Sequence, residues 1–268
     1  MTKHHGLGND FLITFVDEVP EDASERAIEL CDRSTGVGAD GLIYGVDSGS
    51  TVLMRLFNSD GSPAEISGNG ARCFLQAIAM RRGVDSLEID LDTLAGVRQG
   101  SLEPTSDSTV SFASVDMGPV EAGDQPTSAD FPTGIDGLGV VENWTTGAVG
   151  NPHVVFDVEN PAEIDLAAVG PRVEEHFPSG VNAHMVSVID VDEIDLYVWE
   201  RGAGITQACG SGATVAAQRF YDRGLVGEHV TVHMPGGAAT VDVMTESRPT
   251  AILSGETTFV AAIEVPRG

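Results

Sequence analysis

Two glycine-rich turns, Ser67-Gly68-Asn69-Gly70 and Cys209-Gly210-Ser211-Gly212, carry the residue types best suited to chemistry. Each follows a polar loop and opens an apolar run at helical spacing, so residues 67 and 209 are expected at helix N-termini. Unpaired amides there attract anions and lower a thiol's pKa, and the glycines let a ligand approach the backbone. A carboxylate cradled there is expected to place its α-carbon between the two loops. The three cysteines, Cys31, Cys73 and Cys209, are odd in number and lack a pairing pattern. That argues against a disulfide framework or a zinc site and leaves Cys209 as the candidate reactive thiol. Cys73 lies six residues beyond Ser67, about 240° around a helix, and reads as a buried core thiol.

Other signals point away from cofactors. Gly36-Val37-Gly38-Ala39-Asp40-Gly41 matches the dinucleotide fingerprint in letters, but it precedes an apolar strand instead of opening a helix, so it reads as a loop near the substrate. Lys3 is the sole lysine, which leaves no internal amine for a pyridoxal Schiff base. The seven histidines show no ligand spacing with cysteines or paired acids, so no metal is expected. His5 and His153 fall in motifs described below; the others, His184 among them, read as ordinary strand and surface residues.

The elements that must position these turns repeat. At a separation of 142 positions, Gly8-Asn9 falls on Gly150-Asn151, Asn58 on Glu200, and Ser67-Gly68-Asn69-Gly70-Ala71 on Cys209-Gly210-Ser211-Gly212-Ala213; Gln76 and Arg81 fall on Gln218 and Arg223. The first half reads as strands over 11–16, 42–46 and 51–57, a helix over 69–82 buried nearly all round, then strands over 87–91 and 97–102. The second repeats the order, with strands over 154–158, 185–189 and 194–199, a helix over 211–222, and strands over 229–233, 239–243 and 258–263. The expected fold is α/β (α+β): two pseudo-symmetric domains, 1–125 and 126–268, each a curved, mostly antiparallel sheet or barrel around a central helix. The boundary falls in the Gly/Pro/Ser/Asp-rich stretch 118–139, and the C-terminal strand is free to return to the first domain.

Composition limits the partners. Against 41 acids stand 14 cations, for a formal net charge of −27. Such a surface repels nucleic acid and anionic membranes. Molar salt shortens the Debye length to about 3 Å and removes most of the self-repulsion, so the charge reads as adaptation to a salt-rich cytoplasm. The sequence shows no apolar run long enough to span a bilayer and no signal-peptide layout at its start. The expected partner is a small molecule, with a homodimer left open.

Taken together, the motifs resemble those of the diaminopimelate epimerases, in the class of cofactor-independent amino-acid racemases and epimerases. The stretches are His5-Gly6-Leu7-Gly8-Asn9-Asp10-Phe11, Asn58-x-Asp60-Gly61-Ser62, Gly68-Asn69-Gly70-Ala71-Arg72-Cys73, Gly150-Asn151-Pro152-His153, Val181-Asn182, and Glu200-Arg201-Gly202-Ala203-Gly204 running to Ala208-Cys209-Gly210-Ser211-Gly212. They span nearly the whole chain in the family's order. The resemblance implies interconversion of LL- and meso-2,6-diaminopimelate on the way to lysine, with substrate in a cleft between the domains. By position, Asn9, Asn58, Asn151, Asn182, Glu200 and Arg201 would hold the distal ammonium and carboxylate. The Gly68-Asn69 and Gly210-Ser211 amides would hold the reacting carboxylate, and His153 and Glu200 would support the thiols. Where the family often has a substrate-contacting glutamine after Asp40, this chain has Gly41. The alternatives are a related proline-racemase or phenazine-isomerase type of enzyme, and a protein that binds without inverting.

One position departs from the pattern the resemblance implies. The family supplies acid and base as two cysteines; here Cys209 holds the second position and Ser67 the first. A thiol ionises near a pKa of about 8.5, whereas a serine hydroxyl is a far weaker acid and a poor base. Three accounts stand: a cysteine-to-serine replacement that traps a complex, a natural variant in which Ser67 relays protons, or a side branch whose one-thiol site does half the reaction, such as deprotonation followed by elimination.

Overall fold

The computed structural model describes residues 1–138, 141, 143–244 and 250–265. The chain forms two compact units, Met1–Asp116 with Ser254–Gly268, and Met117–Leu253.

The first unit opens with a hairpin, β1 (Thr2–Gly6) and β2 (Asn9–Phe15). Leu7 and Gly8 make the tight turn with φ of 54° and 83°. Two left-handed residues match the twist of a two-residue hairpin loop, and Leu7 carries the side-chain penalty of about 1–2 kcal/mol. Next come α1 (Ala23–Cys31), β3 (Gly41–Asp47), β4 (Thr51–Asn58), the short β5 (Pro63–Ala64), α2 (Gly68–Arg82), β6 (Leu87–Thr93), β7 (Gly96–Pro104) and β8 (Val110–Asp116). The strands run β1-β2-β3-β4-β6-β7-β8 and then to the last strand of the chain, β16 (Thr250–Ala262), which pairs antiparallel with β1 from Thr258 to Ala262. The ring therefore closes and leaves no free edge. Within it α2 is buried from Gly68 through Ala79, the helix without a polar face that its sequence requires. A smaller core outside the ring packs Ala23, Ala27 and Leu30 of α1 on Leu12, Leu42 and Tyr44.

The second unit repeats this order with β9 (Asn143–Val149), β10 (Asn151–Asp157), a 3-10 turn (Pro161–Glu163), α3 (Leu166–Glu174), β11 (Asn182–Asp190), β12 (Glu193–Glu200), β13 (Gly204–Thr206), α4 (Gly210–Asp222), β14 (His229–Met234) and β15 (Gly237–Met244). The strands lie in the order β9-β10-β11-β12-β14-β15-β16. Residues 117–121, continuing from β8, fill the gap between the ends. Met117 N bonds Ala251 O at 2.9 Å, and Glu121 and Ala148 exchange both backbone bonds at 2.9 and 3.1 Å. Val154, Phe156, Val169, Val173, Phe177 and Met185 form the core beneath α3.

The glycine turns and helical spacing place α2 and α4 to within a residue of their observed starts, whereas β1, α1, β5, β8, β9, α3 and β13 lie outside the elements legible in the sequence. In α3 the Gly170-Pro171 pair reads as a breaker. The glycine is required instead because the Trp199 ring lies against its backbone, where a methyl would overlap the indole. The units divide at Asp116/Met117 and again at Leu253/Ser254, and the C-terminal residues from Ser254 group with the first unit. Gly139, which ends the proposed boundary stretch, lies outside the described residues.

Candidate active site

In the first unit Ser67 is the N-cap of α2, with extended backbone (φ −128°, ψ 123°), and its Oγ accepts from Gly70 N at 3.1 Å. This is the ordinary stabilising role of serine at a helix start. Asn69, in the first turn, donates to Asn9 Oδ1 (3.3 Å) and accepts from Arg72 Nη2 (2.5 Å). Arg72 is fully buried; its Nη1 reaches Glu256 O at 3.4 Å and its Nε has no partner among the described residues. Burial pulls its pKa down to about 10, so it remains charged at neutral pH. A fixed cation thus sits behind Asn69 and adds to the positive end of the helix.

Asn9 is held in turn by Asp40, whose Oδ2 accepts from its Nδ2 at 2.7 Å. Arg33 bridges Asp10 and Asp40, and Lys3 pairs with Asp10, each at 2.7 Å. Burial tends to raise the Asp10 carboxyl, but the bonds from Arg33 and Lys3 outweigh it and hold the group below its usual range. Asn58 ends β4 opposite Gly41 and donates to Ser62 Oγ at 3.0 Å. A methyl on Gly41 would lie 2.9 Å from Phe57 O and 3.0 Å from Leu56 Cδ1. No longer side chain fits there without moving β4.

In the second unit Cys209 is the N-cap of α4 in nearly the same conformation (φ −130°, ψ 106°), but it makes no side-chain cap. Its Sγ lies 3.6 Å from Ser211 Oγ. The sequence reading expected the helix start to lower the thiol's pKa. Burial instead pushes it well above the ordinary thiol range and Glu200 adds to the rise, while the Ser211 hydroxyl and the Ser211 and Gly212 amides only partly oppose it. Desolvation wins because the helix start acts on a sulfur that is largely removed from water. The thiol is protonated at rest.

Beneath the sulfur lie two fully buried histidines. His153 Nε2 lies 2.9 Å from Asn151 Oδ1, and His153 Nδ1 lies 2.8 Å from His184 Nε2. An amide oxygen only accepts, so Nε2 of His153 carries its proton, Nδ1 accepts, and His184 donates through Nε2. His184 Nδ1 is left with a bare lone pair and no partner among the described residues. Burial holds His184 near a pKa of about 3; burial, then His184 and Arg201, hold His153 well below 6.5. Both are neutral. The His184 ring packs against Gly212, where a methyl would lie 2.6 Å from Nε2 and closer still to Cε1. Asn182 accepts from Arg201 N at 3.0 Å and donates to Pro152 O at 3.1 Å, tying the Glu200-Arg201 corner to the start of β10. Glu200 accepts from Thr206 Oγ1, and Arg201 Nη1 bonds Ser179 O at 2.7 Å.

The structure therefore gathers Asn9, Ser67, Gly68 and Asn69 at one helix start and Asn151, His153, Cys209, Gly210 and Ser211 at the other. Asn182, Glu200 and Arg201 form the corner beside the second. Asn58 opens the neighbouring turn, which Ser59 N ties to Asp40 O at 3.0 Å and in which Asp60, held below its usual range by the Ser62 hydroxyl, accepts from Ser62 N at 2.8 Å. Two residues escaped the sequence reading. His184, read as an ordinary strand or surface residue, is buried against His153; it lies two positions from Asn182 on β11, and alternation puts the two on one face. Arg72 lies three positions from Asn69, on the same helix face.

The diaminopimelate epimerase family profile matches residues 1–122 and 145–260. Among curated proteins, diaminopimelate epimerase of Methanothermobacter thermautotrophicus is 37% identical over 258 residues, covering 90% of this chain and 89% of that one. Diaminopimelate epimerase 1 of a Nostoc species is 38% identical and covers 90% of each. Among solved structures, a phenazine biosynthesis protein of the PhzF family from Bacillus anthracis superposes with a TM-score of 0.73 at 15% identity, covering 99% of this chain and 98% of that one. At that identity the likeness is one of fold. The family match runs through both helix starts, and the chain belongs to the diaminopimelate epimerase family.

Proposed function

We propose that this protein interconverts LL- and meso-2,6-diaminopimelate, a step towards lysine, by proton transfer with Cys209 acting on one face of the α-carbon and Ser67 on the other. The observation that carries the reading is the Cys209 helix start, where a thiol, two neutral imidazoles and the Glu200-Arg201 corner converge in a family member. Inversion needs an acid and a base at opposite faces of one carbon. The protonated Cys209 thiol is the donor in one direction. In the other, its thiolate is the base, steadied by the Ser211 hydroxyl and the Ser211 and Gly212 amides. Gly68 and Asn69 on one side and Gly210 and Ser211 on the other would take the reacting carboxylate, with Arg72 adding charge behind the first pair. Asn9, Asn58, Asn151, Glu200 and Arg201 would receive the distal ammonium and carboxylate, with Asn182 fixing the corner.

The net charge of −27 supports a cytoplasmic enzyme working in high salt, where short-range screening relieves self-repulsion. A second reading has a specific basis: Ser67 Oγ already caps α2, so the protein would bind substrate without inverting it. Incubating the purified protein with LL-diaminopimelate in molar potassium chloride, beside calorimetry, separates the two. Formation of the meso isomer supports the epimerase. Binding without conversion supports the second reading, and absence of both rejects each.

A further inference from the structure

The helix start of α4 holds a set of donor atoms that proton transfer alone does not call for. One ring nitrogen each from His153 and His184 and the sulfur of Cys209 lie within 4.8 Å of one another, and all three residues are buried. We propose that His153, His184 and Cys209 form a site for a thiophilic divalent cation, Zn2+ or its surrogate Co2+, whose binding removes the thiol from proton transfer.

Two imidazoles and a thiolate select borderline and soft metals over Mg2+ and Ca2+, which require oxygen donors. Three protein ligands leave a fourth tetrahedral position for water or a substrate group. Zn–S and Zn–N bonds of about 2.3 and 2.0–2.1 Å place ligand atoms roughly 3.3–3.7 Å apart, so the observed spread closes by ångström-scale shifts. His184 Nδ1 supplies a second, independent pointer, because it is a buried lone pair with no partner among the described residues. The outer contacts also suit a metal. His153 ligates through Nδ1 while its Nε2–H stays on Asn151 Oδ1, the arrangement that orients a metal-bound imidazole. The hydrogen bond between the histidines is exchanged for bonds to the cation. Both rings remain neutral; only the thiol gives up a proton, which leaves to solvent. The first unit offers no counterpart, since strand register and the helix caps place Phe11, Ile43 and Ser67 where the second unit has His153, His184 and Cys209.

Binding stands apart from the epimerase reading, whereas inhibition rests on it. The test is a titration of the full-length, reduced, EDTA-treated protein with Co2+, read by absorption, beside an epimerase assay with Zn2+. The expected result is a thiolate-to-cobalt charge-transfer band that saturates at one equivalent, is bleached by Zn2+ and is erased by EDTA. Cys209→Ser, which keeps the size of the side chain at the helix start, should lose the band, and His184→Leu should weaken Co2+ binding by more than about tenfold. Zn2+ should inhibit and EDTA restore activity. Absence of the band in the native protein overturns the site. So does a band that survives Cys209→Ser, which would put the metal on Cys31 or Cys73, and so does inhibition without a band. A band without inhibition keeps the site and overturns Cys209 as the working thiol.

Discussion

The two helix starts share a backbone and differ in what is buried with them. Ser67 and Cys209 cap helices that begin alike, yet the residues at matching places are not the same chemistry: Phe11 against His153, Ile43 against His184, Arg72 against Thr214. The first unit has an apolar pair and a buried cation, fit to fix an anion. The second has a neutral imidazole pair beneath a thiol, fit to hold a group that gains and loses a proton. Duplication kept the frame, and the buried polar residues diverged within it.

The comparison breaks most sharply at the two caps. Cys209→Ala should lower epimerase kcat by about 10²–10⁴-fold, the usual loss when a general acid or base is removed. Ser67→Ala should cost far less activity, and about 0.5–2 kcal/mol of stability from the lost cap. Ser67→Cys should raise kcat. Equal losses in the two alanine variants, measured as initial rates from LL-diaminopimelate, would mean the halves are not unequal.

A smaller effect separates the glycines. Gly212→Ala drives a methyl into the His184 ring and should destabilise by about 1–3 kcal/mol in urea unfolding. Gly70→Ala meets only Ser67 and Ile43 side-chain atoms at 3.2–3.4 Å and gains helix propensity, so it should stay within about 0.5 kcal/mol of the parent. A Gly212→Ala protein as stable as Gly70→Ala would contradict the close packing of His184.

Acid should expose the imidazoles. His4 is held at about 4 and His184 at about 3 by burial, and His153 is also lowered. Each folded pKa lies below the unfolded value of about 6.5. As pH falls below that value the unfolded chain takes up protons the folded one refuses, and stability is lost at up to about 1.4 kcal/mol per unit for each histidine. Urea midpoints should therefore fall from pH 7 to pH 5, less steeply in His184→Leu, and an unchanged slope in that variant would contradict a neutral buried His184. The smallest readout is alkylation of Cys209 by iodoacetamide, whose rate should keep rising with pH beyond about 8.5 because the thiol is raised. A plateau near neutrality would mean the helix start outweighs burial.

Much of this was legible in the sequence because it is local. The glycine turns announced both helix starts, and the apolar wheel of 69–82 announced a helix buried on every side. What escaped depends on contacts distant in sequence. Gly170-Pro171 looks like a helix breaker until Trp199 is packed on it. His184 looks like an ordinary strand residue until His153 and Gly212 close around it. The direction of the Cys209 shift could not be read locally either, because a helix start predicts a lowered thiol and only the fold reveals how completely the sulfur is removed from water.

The account stands or falls on inequality between the proton-handling groups. In deuterated buffer, loss of the α-proton can be followed separately from LL- and from meso-diaminopimelate by proton NMR before isomers equilibrate. Exchange should be fast from the isomer whose α-hydrogen is presented to the sulfur and slower from the one presented to the hydroxyl. Equally fast exchange from both would contradict it.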